Sequence, residues 1–290
     1  MPNVPNFLFI GPDKSGSTWI YQALKNHPQV FLSPVKELFF FDRYYEKGWG
    51  WYHSFFSGSG SGHDIVGEIS HDYLFSELAR DRIAEDIPNV KLMVCVRDPV
   101  ERAFSAYLYM RKQGRVRGSF EAALESIGEL VDHGLYSKHL KMYLERFPKE
   151  QIHVAVFDDL AENPQAFFSE VCGFLGIDAA ALSEVAQDGA LRAARPRSVL
   201  VARMARQLGW SIRSLGVPQL VTLVKESPIT KQILYSEYQY GEKPRMAEGT
   251  REDLKRLFWN DVLELDALLE TNLCQRWGFE GSSNSAGGAV

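Results

Sequence analysis

Long hydrophobic runs are missing from this chain, and no stretch approaches the ~20 apolar residues that a membrane span requires. The first residues hold no basic segment followed by an apolar one, so no secretory leader is expected and the expected compartment is the cytoplasm. Cysteine is scarce. Cys95, Cys172 and Cys274 lie far apart in apolar patterns, which excludes a disulfide framework and predicts reduced core thiols. No Cys or His pairing has zinc spacing, so no metal is expected. Excess positive charge is absent as well. The 37 acidic residues outnumber the 32 basic ones, leaving −5, which gives nothing to attract a nucleic acid or a polyanionic sugar.

One further absence is local. The segment Gly11-Pro12-Asp13-Lys14-Ser15-Gly16-Ser17-Thr18 follows an apolar run, Phe7 to Ile10, and precedes a helical pattern, Trp19 to Lys25. Strand, glycine loop and helix form a phosphate cradle, with backbone N–H groups and the helix dipole facing the anion. The spacing of Gly11, Gly16 and Thr18 fits G-x-x-x-x-G-K-[ST], but Ser17 stands where that pattern has lysine. The lysine is Lys14, inside the loop. An ATPase or GTPase needs the missing lysine on its β- and γ-phosphates, so this loop suits a different nucleotide. A P-loop nucleotide kinase and a non-catalytic nucleotide-binding protein are the alternative readings.

A second segment supplies more anion chemistry. Lys91 to Val96 is a buried-strand pattern ending at Arg97-Asp98-Pro99. Asp98 suits an N-cap, Pro99 the first helical position, and Glu101 a capping box. The helix then runs to about Lys112. Arg97 at the strand's end and Ser105 two turns into the helix can share one phosphate.

The first half alternates strand and helix patterns: strands at 7–10, 30–32, 65–69 and 91–96, and helices at 18–26, 76–87 and 99–112. Helix 134–147, strand 151–157 and helix 164–175 follow. This alternation predicts an α/β fold with a parallel sheet covered by helices. Arg192 to Tyr240 is less regular and mostly helical, and Thr250 to Leu273 is a long amphipathic helix. Residues 1–280 are expected to form a single domain, and the Gly/Ser/Ala-rich 281–290 a disordered tail.

Taken together, the motifs resemble the sulfotransferases that use 3′-phosphoadenosine 5′-phosphosulfate (PAPS), in particular the heparan-sulfate-type and related bacterial enzymes. Lys14-Ser15-Gly16-Ser17-Thr18 is similar to that family's 5′-phosphosulfate loop, and Arg97 with Ser105 to its 3′-phosphate pair. Lys36-Glu37-Leu38-Phe39-Phe40-Phe41-Asp42 is similar to its K-E-x-x-F-F segment, whose Glu is the catalytic base. Gly67 to Tyr73 and Gly134-Leu135-Tyr136 extend the likeness in the same order.

The resemblance implies a fold like that of nucleotide kinases, with a helical C-terminal part, and sulfuryl transfer from PAPS to a hydroxyl without a metal. Glu37 is the implied base, Lys14 the cation on the leaving group, and His71 the competing base. Lys14, Ser15, Gly16, Ser17, Thr18, Trp19, Arg97, Ser105 and Tyr136 are expected at the nucleotide, with Arg195 and Arg197 completing it. Lys36, Glu68, His71 and Asp72 are expected at the acceptor. The heparan-type enzymes carry lysine where this chain has Ile69. That departure and the acidic balance favour a small-molecule, lipid-like or neutral glycan acceptor, as in natural product biosynthesis.

Overall fold

The strand β1 (Phe7–Gly11) is apolar at every position because both of its faces and both of its edges are covered. Leu8 and Ile10 point into one core, and Phe7 and Phe9 into the other. The strand β4 (Lys91–Val96) repeats the alternation, with Leu92, Val94 and Val96 on the first face and Met93 and Cys95 on the second. With β2 (Val30–Leu32), β3 (Ile65–Ile69) and β5 (Ile152–Val156), they form a five-stranded parallel sheet ordered β2-β3-β1-β4-β5.

The computed structural model describes residues 4–179, 194–196, 235–237 and 244–279. Helices α1 (Ser17–Lys25), α2 (Gly48–His53), α3 (Glu77–Asp86), α4 (Pro99–Lys112), α5 (Phe120–Ser126), α6 (Glu129–Asp132) and α7 (Tyr136–Leu144) come before β5. Helices α8 (Phe157–Glu162), α9 (Pro164–Leu175), α10 (Glu248–Leu269) and α11 (Leu273–Arg276) follow it. Residues of α3, α4, α7 and α10 fill the core against Leu8 and Ile10, while α1 and α9 cover the opposite face. The short strands β6 (Ala194–Pro196) and β7 (Tyr235–Glu237) pair antiparallel, and β6 lies against α4.

The α/β expectation is met, and the strand spans agree closely with the alternation in the sequence. The aromatic-rich stretch after Lys36, which carries no clear period, forms a π-turn at Phe40–Tyr44, two 3₁₀ turns and α2. Its rings build core: Phe40 stacks on Tyr52 at 4.2 Å, and Phe55 and Phe56 are buried. Glu101 departs from the capping box, because its carboxylate pairs with Arg251 of α10 at 2.7 Å. Cys95 and Cys172 are buried, and all three cysteines are free thiols. Arg197, most of the irregular stretch 192–240 and the tail 281–290 lie outside the described residues. Among the described residues, no helix is long and apolar enough to cross a membrane.

Candidate active site

The carboxyl ends of β1, β3 and β4 converge, and the loop after each carries one part of the site. The loop after β1 is the phosphate cradle. Gly11, at φ 144°, approaches the loop after β3 so closely that a Cβ there would lie 2.4 Å from the His71 carbonyl oxygen. Lys14 at φ 65° and Gly16 at φ 89° turn the chain so that it enters α1. Both lie in the left-handed region, and for a lysine that backbone costs on the order of 1 kcal/mol. Gly16 begins α1 with no side-chain cap, and the helix has no acid in its first turn. An uncapped helix start of this kind suits an anion. Helix α4 differs, since the Asp98 side chain accepts from the Val100 and Glu101 amides at 2.8 and 3.3 Å.

Lys14 lies with its ammonium 4.4 Å from the centroid of the Tyr109 ring. Burial lowers its pKa; Asp13 opposes that shift, while the like charges of Lys112 and Arg97 add to it. Arg97 donates to the Lys14 carbonyl at 3.1 Å and lies over the Phe157 ring at 4.7 Å. Ser105 is half-buried on α4, the helix against which β6 places Arg195. An uncapped helix start beside a partly dry group of cations fits a phosphorylated, sulfated nucleotide.

Other residues expected at the nucleotide have different tasks. Ser15 is fully buried and its hydroxyl turns back to the Asp13 carbonyl at 3.4 Å, so only its backbone faces the cradle. Trp19 packs edge-on against Phe167 and Phe168 at 5.8 and 6.3 Å. Tyr136 is 0% exposed, and its hydroxyl is buried without a hydrogen-bond partner. Tyr136 thus packs in the core with its ring sealed from solvent.

Beneath the cradle lies a brace with no signal in the sequence. Asp13 meets the buried Arg102 guanidinium at 3.1 Å and the His133 ring at 3.8 Å. Arg102 also donates to the Glu129 and Leu130 carbonyls at 3.3 and 2.5 Å. Burial opposes ionisation of Asp13, but the contact with His133 and the charge of Arg102 outweigh it and hold the carboxyl well below the usual range. Asp13 and Arg102 thereby tie the loop to α4 and α6.

The loop after β3 carries the second half of the site. The Glu37 amide donates to the Ile69 carbonyl at 2.8 Å, the Phe39 amide to Ser70 Oγ at 3.2 Å, and the Phe40 amide to the Tyr73 hydroxyl at 2.7 Å. These bonds hang the Lys36–Phe41 segment from the end of β3, with Glu37 itself at φ 62°. The Lys36 ammonium donates to Thr18 Oγ1 at 2.9 Å. Lys36 thus reaches the phosphate loop.

His71 lies between two carboxylates. Its Nδ1 is 3.8 Å from Glu37 Oε1 and its Nε2 is 3.3 Å from Asp72 Oδ1. Arg43 pairs with Asp72 on the far side and with Asp42 at 3.1 Å. Asp42 is mostly buried, and burial pushes its carboxyl up to about 7 although Arg43 opposes the shift. Glu68 lies inside the core. It is 1% exposed and accepts from Tyr52, Tyr73 and Ser70 at 2.8, 2.9 and 2.6 Å. A carboxylate satisfied by three hydroxyls inside the core is a support for the segment above it. Among the described residues no cluster of His, Cys, Asp and Glu has the geometry to hold a metal.

The sulfotransferase domain model matches residues 5–196. The bifunctional heparan sulfate N-deacetylase/N-sulfotransferase 2 of Homo sapiens is 32% identical over 195 residues, covering 60% of this chain and 22% of that protein. The heparan sulfate glucosamine 3-O-sulfotransferase 3B1 of Mus musculus is 31% identical over 183 residues, covering 60% of this chain and 46% of its own. The chain thus spans less than half the length of these curated relatives. The crystal structure of a sulfotransferase from Alicyclobacillus acidocaldarius has the same fold, with a TM-score of 0.70, 23% identity, and coverage of 95% of this chain and 99% of that one. With the matched domain occupying most of the chain and containing the loop, the Arg97 strand end and the Glu37 segment, the chain belongs to the sulfotransferase family.

Proposed function

We propose that this protein transfers the sulfuryl group of PAPS to a hydroxyl of a small-molecule, lipid-like or glycan acceptor, with Glu37 as the base. The observation that carries the reading is the bond from Lys36 to Thr18 at 2.9 Å, which brings the Glu37 segment to the phosphate loop. When bound, PAPS supplies the activated sulfuryl group and a good leaving group. The loop amides, the start of α1 and Thr18 hold the 5′-phosphosulfate, and Lys14 balances charge on the leaving phosphate. Arg97 and Ser105 hold the 3′-phosphate, with Arg195 and Arg197 closing the nucleotide site. Glu37 takes the acceptor proton as the oxygen attacks sulfur.

The work is positioning and charge stabilisation, as in phosphoryl transfer, with cationic side chains in the place of a metal. Glu37 and Asp72, both partly exposed, bring negative charge to this side of the site, which disfavours a polyanionic acceptor and supports a neutral one. Residues 1–280 act as one domain in this reading. Calorimetry with 3′-phosphoadenosine 5′-phosphate (PAP), AMP and ATP tests it. PAP should bind far more tightly than ATP, and equal or tighter ATP binding would refute the assignment in favour of a nucleotide kinase.

A further inference from the structure

The Glu37 base has a neighbour placed to empty it. Nδ1 of His71 faces Glu37 Oε1 at 3.8 Å and Nε2 faces Asp72 Oδ1 at 3.3 Å. Both His71 and Glu37 retain some exposure, at 20% and 23% of the side chain. Asp72 is itself fixed by Arg43, and the Arg43 guanidinium lies 4.2 Å over the Phe39 ring. The His71 ring also meets Phe39 edge-on at 5.7 Å. The imidazole is therefore clamped on one side by an aromatic ring and at each nitrogen by a carboxylate.

We propose that Asp72 and His71 form a relay that receives the proton from Glu37 after transfer, an inference that rests on Glu37 being the base. The Asp72 carboxylate facing Nε2 at 3.3 Å favours the tautomer with its proton on Nε2 and leaves the Nδ1 lone pair toward Glu37. During transfer, an acceptor lone pair forms the new O–S bond. The S–O bond to the 5′-phosphate breaks, and its electron pair leaves with the nucleotide. The acceptor proton passes to Glu37 and from there to His71 Nδ1. This restores the carboxylate and makes an imidazolium neutralised by Asp72. Loss of that proton to water resets the site, and no other co-reactant is consumed.

Among the described residues, the charged groups facing His71 are Glu37, Asp72 and, from the phosphate loop, Asp13. Arg43 stands behind Asp72, and Arg102 and His133 stand behind Asp13. His71 takes its proton only from Glu37 and Asp72 only orients the ring, so Glu37 remains the one group that meets the acceptor proton.

The test is ¹⁵N NMR of the full chain labelled at histidine, with the His71 signal assigned by its loss in His71→Asn. The relay requires neutral His71 to carry its proton on Nε2. Asp72→Asn should erode that tautomer preference. Glu37→Gln should shift the His71 Nδ1 resonance, because the carboxylate facing that nitrogen is removed, while the proton stays on Nε2. A proton on Nδ1, or a His71 signal indifferent to both substitutions, would overturn the relay. This readout needs no acceptor, so its failure is separate from failure of the base assignment, which is decided by turnover of Glu37→Gln.

Discussion

The guanidinium of Arg97 donates to the backbone carbonyl of Lys14 at 3.1 Å, so the end of β4 and the loop after β1 are directly bonded. The two motifs that read as separate phosphate grips in the sequence form one cationic surface. That coupling shapes what loss of Arg97 does.

Arg97→Ala should weaken PAP by about 1.5–3 kcal/mol, the worth of a charge-assisted bond. Adenosine 5′-phosphosulfate, which lacks the 3′-phosphate, should lose much less, a remainder that reflects the freed Lys14 carbonyl. Calorimetry with both ligands measures the difference. An equal loss for the two would make Arg97 a loop support and not a 3′-phosphate ligand.

Glu37→Gln should reduce kcat by roughly 10²–10⁴-fold while PAP affinity stays nearly constant. The amide keeps the shape but cannot take a proton. Turnover with labelled PAPS and an acceptor found by screening hydroxylated compounds gives the rate. Loss of PAP binding together with turnover would assign the residue to the fold or the nucleotide site.

Turnover should survive excess EDTA. In the proposed mechanism the uncapped start of α1, Lys14 and Arg97 would provide the positive charge that Mg²⁺ provides in kinases. Abolition by chelation, with recovery only on adding a divalent metal, would contradict the mechanism.

Breaking the loop brace should cost stability. Arg102 is 1% exposed and ion-paired to Asp13, so Asp13→Asn leaves a buried guanidinium uncompensated, a loss of about 3 kcal/mol. The folded Asp13 carboxyl titrates below its unfolded value, so its contribution is present at neutral pH and fades as pH falls through the acid range. Urea melts of wild type and Asp13→Asn should differ by a constant amount at neutral pH. They should converge only below about pH 4, the ordinary carboxylate range.

Asp42 should act in the opposite direction. Its carboxyl titrates at about 7 in the folded protein, above the unfolded value, so the folded state binds the extra proton. Wild-type stability should therefore fall as pH rises from about 4 to 7, and Asp42→Asn should remove this slope. Above pH 7 the variant should be the more stable by roughly 2–4 kcal/mol. Melting temperatures across pH 5 to 8 measure the slope, and parallel curves for the two proteins would refute it.

The sheet and the phosphate loop were legible in the sequence because their signals are local. Runs such as Phe7–Ile10 and Lys91–Val96 lie in parallel strands buried on both faces, and that environment imposes continuous apolarity. Gly11 and Gly16 mark backbone that a side chain would obstruct, and Asp98-Pro99 marks a helix start, all within a few residues. The Phe40–Phe56 stretch had no period to read, since its rings pack on one another across several short turns. What only the tertiary structure decided is the assignment of polar residues that look alike in the chain. Glu37 and Glu68 are both carboxylates followed by an aliphatic residue, Leu38 and Ile69, yet one is partly exposed and the other is sealed by Tyr52, Tyr73 and Ser70. Asp13 with Arg102, and His71 with Glu37, are pairs separated by tens of residues. Their chemistry follows from which charges face one another in a low-dielectric setting, and folding alone brings those charges within reach.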